Sequence, residues 1–181
     1  MRDLIRIVEE ASVNPIDLLI DRKEQFLYDI AMRAEEHEIR NLLPDYEGDE
    51  TGLLDHYFDQ CIGTFEFIWS RGRIPVYRMI SVDDIPAFIQ ATMDGQKLGH
   101  HWTYDDSAPS VGYHHEEPKA HNVILCADAP ATSIDFAKSL IAHFLYPNEH
   151  ELYLDGTVKL ESILDEHSYR PLATLDLMTQ A

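Results

Sequence analysis

The apolar residues of this chain change period once, at Ser70-Arg71-Gly72, and that switch constrains the fold more than any single motif. Before it, Leu54, Tyr57, Phe58, Cys61, Ile62, Phe65, Ile68 and Trp69 recur at helical spacing as one continuous apolar stripe, which predicts a helix with a buried face. After it, residues 74–80 read Ile-Pro-Val-Tyr-Arg-Met-Ile, β-branched and aromatic, which predicts a strand. The aromatic stripe reads as core packing.

Further signals sort to either side of the switch. Asn14-Pro15 opens a helix, with Asn as cap and Pro at the first position. Leu19, Phe26, Leu27, Ile30 and Ala34 continue the helical spacing up to a stop at Leu42-Leu43-Pro44. Beyond the switch, Ser81-Val82-Asp83-Asp84 resembles a capping box for a helix whose inner face is Ile85, Phe88 and Ile89. Residues 98–104 and 122–127 predict strands, and 133–145 a helix. Residues 149–154 and 157–163 flank Asp155-Gly156, a dipeptide that favours the type I′ turn of a hairpin. The expectation is α+β: a helical N-terminal region over 1–70 and a mixed body over 71–181, packed as one compact domain.

Charge narrows the function classes. Of the 181 residues 33 are Asp or Glu and 14 are Lys or Arg, a formal net charge of −19. The excess is not a tail, because 17 acids and 6 bases precede residue 71 and 16 and 8 follow. A surface this acidic argues against gripping a nucleic-acid backbone or docking on anionic lipid. It leaves small-molecule enzymes, basic protein partners and nucleic-acid mimicry. No apolar run approaches membrane length, and Cys61 and Cys126 read as reduced core residues, so the expected location is cytoplasmic.

Five histidines, His100, His101, His114, His115 and His121, crowd into residues 100–121. Adjacent His-His pairs point in different directions and no HExxH or cysteine pair accompanies them, so loop histidines are expected rather than a metal site. No phosphate loop, G-x-S-x-G elbow or kinase motif is present. A more informative set is Arg78, the segment His101-Trp102-Thr103, and Glu149-His150-Glu151. Strand alternation puts Arg78 on one face with Val76 and Ile80, and it puts Glu149 and Glu151 together on the face opposite His150, Leu152 and Leu154. Two carboxylates so placed repel each other, which calls for a bound partner or a raised pKa.

The order Val-Tyr-Arg-Met-Ile, His-His-Trp-Thr-Tyr-Asp-Asp, then Asn-Glu-His-Glu-Leu-Tyr-Leu-Asp-Gly resembles the three signature regions of the ADP-ribosyltransferase fold family. Thr103 follows Arg78 by 25 residues and Glu151 follows Thr103 by 48. Where that family carries Ser-Thr-Ser, this chain has Trp102-Thr103-Tyr104. The resemblance covers roughly residues 72–165, and it implies two small packed β-sheets around a cleft after the N-terminal helices. It further implies an NAD-dependent mono-ADP-ribosyltransferase acting on a protein acceptor, with Glu151 stabilising an oxocarbenium-like transition state. Arg78 would hold the dinucleotide phosphate, Thr103 would orient Glu151, and Trp102 or Tyr104 would pack near the nicotinamide. Glu149 would engage the acceptor, typically an arginine, beside an acceptor loop over residues 143–148. The alternative is a non-catalytic acidic binding or inhibitory protein, with a degenerate transferase fold or as a nucleic-acid mimic. The missing hydroxyls and the net charge motivate it.

Overall fold

The structure is a computed structural model describing residues 14–32, 47–106, 121–147 and 149–181. Helix α1 (Pro15–Asp21) begins as the sequence predicts, with the Asn14 side chain accepting from the Ile16 N–H. Arg22 interrupts it, and α2 (Lys23–Ala31) follows. The anticipated stop at Leu42-Leu43-Pro44 lies outside the described residues. The striped helix is α3 (Glu50–Arg71): Asp49 caps the Gly52 N–H, and Gly72, left-handed at φ 72°, ends it. Strand β1 (Arg73–Val82) starts at once. Asp84 then caps α4 (Ile85–Met93) by accepting from the Ala87 N–H.

The remaining elements are β2 (His101–Thr103), β3 (His121–Pro130), a short 3-10 turn (Ala131–Ser133), α5 (Phe136–Leu145), β4 (Glu151–Tyr153), β5 (Thr157–Asp165) and β6 (Pro171–Gln180). The chain is α+β as expected. All these strands belong to one six-stranded antiparallel sheet in the order β4-β2-β1-β3-β5-β6. A hydrophobic core runs from Ile16 on α1 to Ala181 beyond β6 and includes Phe58, Phe65, Trp102, Leu140, Leu152 and Leu160, so the helices and the sheet share it.

The sheet is strongly curled. Leu154, Asp155 and Gly156 alone join β4, at one edge, to β5, which lies four strand spacings away. Four spacings in a flat sheet are about 19 Å, beyond the roughly 14 Å that this link spans when fully extended. Curling brings the ends together: the Leu98 N–H, just before β2, donates to the Gln180 carbonyl on β6 at 3.2 Å. The far edge of β4 is covered by α5, where the Ser139 Oγ accepts from the Tyr153 N–H at 2.9 Å.

The hairpin expected at Asp155-Gly156 does not form. β4 pairs with β2, while β5 pairs with β3 and β6. A type I′ turn needs positive φ at both central residues, and Asp155 has none. Its N–H donates instead to the Ser133 carbonyl at 2.7 Å, and the Leu154 N–H goes to the His100 carbonyl at 2.8 Å. The actual hairpin is β5–β6, with Tyr169 left-handed at φ 53° in its turn. Among the described residues no helix is long and apolar enough to cross a membrane.

Candidate functional site

The segments around Arg78, Thr103 and Glu151 are neighbours in space, because β4, β2 and β1 are consecutive strands. Thr103 is the direct partner of Tyr77 on β1 and of Glu151 on β4, so these three residues form one row across the sheet. Residues in one row share a face. Arg78 is offset by one position and points to the opposite face, with Val76 and Ile80 as the alternation predicts. Its strand partner there is the buried Leu125, and the register sets it beside Trp102. The guanidinium donates from Nη1 to the His101 carbonyl at 2.7 Å.

The other candidates make specific contacts. Trp102 is 1% exposed and its indole N–H donates to the Gly99 carbonyl at 2.8 Å. The Thr103 hydroxyl donates to the His150 carbonyl at 3.3 Å and accepts from the Asp105 N–H at 3.1 Å. The Glu151 carboxylate, 12% exposed, is hydrogen-bonded by Nδ1 of His101, which is 62% exposed. Tyr104 stacks near-parallel to His143, ring centroids 5.9 Å apart, and its hydroxyl bonds the His150 ring at 3.2 Å.

Glu149 does not share a strand face with Glu151. The strand begins at Glu151, and the residue before it, His150, is left-handed at φ 47°, which breaks the alternation. Glu149 is a half-buried loop residue whose N–H donates to the Tyr146 carbonyl. The same break releases His150 from the core face that it was expected to share with Leu152 and Leu154.

His150 instead lines an open pocket of about 370 Å³ with Tyr77, Tyr104, Asp105 and Asp106. Nε2 of His150 lies 3.8 Å from the Asp105 carboxylate. Burial pushes the Tyr104 phenol up to about 12, with Cys61 and Asp105 adding to it. Burial also raises Tyr77, helped by the Asp106 carboxylate. Both phenols therefore stay neutral, and the negative charge of the pocket comes from the two aspartates. The left-handed His150 carried no sequence signal; adjacent Asp105-Asp106 after the Tyr104 aromatic was the only hint of the pocket.

Behind this pocket lies a buried cysteine–histidine contact. Cys61 Sγ is 3.8 Å from Nδ1 of His143, and the Tyr57 hydroxyl donates to the His143 carbonyl at 2.9 Å. Burial pushes the thiol up to about 12 and the imidazole down to about 4. Both groups are neutral near pH 7, the reverse of the thiolate–imidazolium pair that a cysteine nucleophile requires. Among the described residues no group of three His, Cys, Asp or Glu side chains is placed to hold a metal ion. His114 and His115 lie outside them; His100 stacks on Tyr153, centroids 5.0 Å apart. Comparison of the chain with known proteins finds no matching family, no matching characterised protein and no matching solved structure.

Proposed function

We propose that this chain is a non-catalytic acidic binding protein whose partner is a basic protein. The observation that carries the reading is the net charge of −19 spread along the chain; beside it, the Glu151 carboxylate is already engaged by His101. A carboxylate that stabilises a developing oxocarbenium ion must face the ribose, with its charge directed at the reacting carbon. The groups around it are engaged as well: Thr103 with backbone, Trp102 with Gly99, and Arg78 with the His101 carbonyl on the opposite face of the sheet. The net charge of −19, spread along the chain, steers a basic partner towards the surface over distances of about a Debye length. The test is association with a basic peptide, decaarginine, read by calorimetry in rising NaCl. Binding should weaken steeply with salt and be unchanged by Glu149→Gln with Glu151→Gln; an affinity indifferent to salt overturns the reading.

A second reading, the NAD-dependent mono-ADP-ribosyltransferase with Glu151 as the transition-state carboxylate, is favoured by the direct pairing of Thr103 with Glu151. It calls for two packed sheets around a cleft, of which the described residues supply one curled sheet. Under it, millimolar NAD raises the melting temperature and Glu151→Ala abolishes label transfer from NAD to a protein acceptor. Absence of both effects disposes of it.

A further inference from the structure

We propose that the pocket of Tyr77, Tyr104, Asp105, Asp106 and His150 is a binding site for an organic cation, a guanidinium or alkylammonium group. The proposal rests on the acidic-binder reading for its partner and names the chemistry by which that partner is anchored. The aspartates alone do not carry it; their combination with two tyrosines lining the same open pocket does. The pocket measures about 370 Å³, room for one basic side-chain head. A cation is attracted to the face of a neutral phenol ring, and two carboxylates lining the same pocket supply the opposite charge. The same pair of carboxylates disfavours an anion.

The site is also held in place. Thr103 Oγ1 and the Tyr104 N–H both donate to the His150 carbonyl, at 3.3 and 3.4 Å. The Tyr104 hydroxyl meets the His150 ring, and the Tyr104 ring is backed by the buried His143. A wall fixed before binding loses little freedom on binding. The geometry favours a delocalised organic cation over a metal ion, because Asp105, Asp106 and His150 are not arranged as a ligand set.

The test titrates methylguanidinium, neutral methylurea and the capped tripeptide acetyl-Gly-Arg-Gly-amide into the protein, followed by the tyrosine ring resonances in NMR. Methylguanidinium and the peptide should shift Tyr77 and Tyr104 with roughly millimolar affinity, and methylurea should not. Asp106→Asn and Tyr77→Leu should each weaken binding at least about fivefold. A peptide bound about tenfold or more tightly than methylguanidinium identifies a partner's side chain as the source of the cation. Equal affinities identify a free small amine. No shift up to about 100 mM cation, or affinities unchanged in both variants, overturns the pocket. Salt-sensitive decaarginine binding that survives in Asp106→Asn would then leave the acidic-binder reading standing without it.

Discussion

Arg78 and Gly99 define each other. Gly99 is left-handed at φ +87°, and a Cβ built there would meet the Arg78 guanidinium at 3.0 to 3.2 Å. Gly99→Ala therefore carries two penalties, backbone strain and a displaced arginine, and should cost about 2–4 kcal/mol in urea denaturation. Repeating it on Arg78→Met separates them: the cost should fall to the backbone part, about 1–2 kcal/mol, and an undiminished cost would show that the contact is incidental. His143 gives the residue scale a pH signature. The fold holds its imidazole near 4 against 6.5 unfolded, so between these values the unfolded chain binds a proton that the folded chain does not. The neutral group's contribution is complete above about pH 6.5 and is lost as pH falls towards 4, on the order of 3 kcal/mol. Relative to His143→Gln, the Tm of the unsubstituted protein should fall from pH 7 to pH 4.5; parallel curves for the two proteins would refute the assignment.

At the scale of elements, β4 is three residues long and depends on its neighbours. Ser139 on α5 is fully buried; its Oγ accepts from the Tyr153 N–H and donates to the Asp135 carbonyl at 2.8 Å. Ser139→Ala leaves the part-buried Tyr153 N–H without its acceptor and should cost about 1–2 kcal/mol by chemical denaturation. A loss within a few tenths of a kcal/mol of zero would mean that the strand edge is satisfied otherwise. The same region shows what the sequence could disclose. The helix over the Leu54–Trp69 stripe, the Asn14 start, β1 and the facing of Arg78 were legible, because period, caps and alternation are local properties. The helix after β1 was legible too, but its cap is Asp84, while Ser81 of the expected capping box lies in β1 and donates to Asn122. The partner of β4 was not. Asp155-Gly156 has favourable local turn chemistry, but long-range pairing to β2 and the α5 cover override it. His150 misled for a similar reason: alternation assumes that a strand is already under way, and its left-handed φ delays the strand by one residue. β6 alternates at Ala173, Leu175, Leu177 and Thr179, but its Tyr169 turn lacks the glycine that marks a hairpin in sequence. The pocket was illegible as a unit, since its residues come from β1, the segment after β2 and the turn before β4.

For the whole molecule, the net charge of −19 acts in two directions. Within the fold like charges repel, and the described ion pairs relieve only part of this: Lys23 bridges Asp55 and Asp59, Arg73 meets Asp128, Lys138 meets Asp135, and Lys159 meets Asp176. Towards a basic partner the same charge attracts. Screening weakens both effects, since the Debye length shrinks from about 14 Å near 0.05 M salt to about 4 Å near 0.5 M. Raising NaCl over that range should therefore raise Tm by several degrees, as self-repulsion is relieved, while decaarginine affinity falls by an order of magnitude or more. The opposite signs matter, because a partner lost through unfolding would be lost together with Tm. Thermal scans and calorimetry on the same samples check both. A Tm that falls as NaCl rises would mean that attractive surface pairs outweigh repulsion, and the spread-out acidity would then not be the feature that selects the partner.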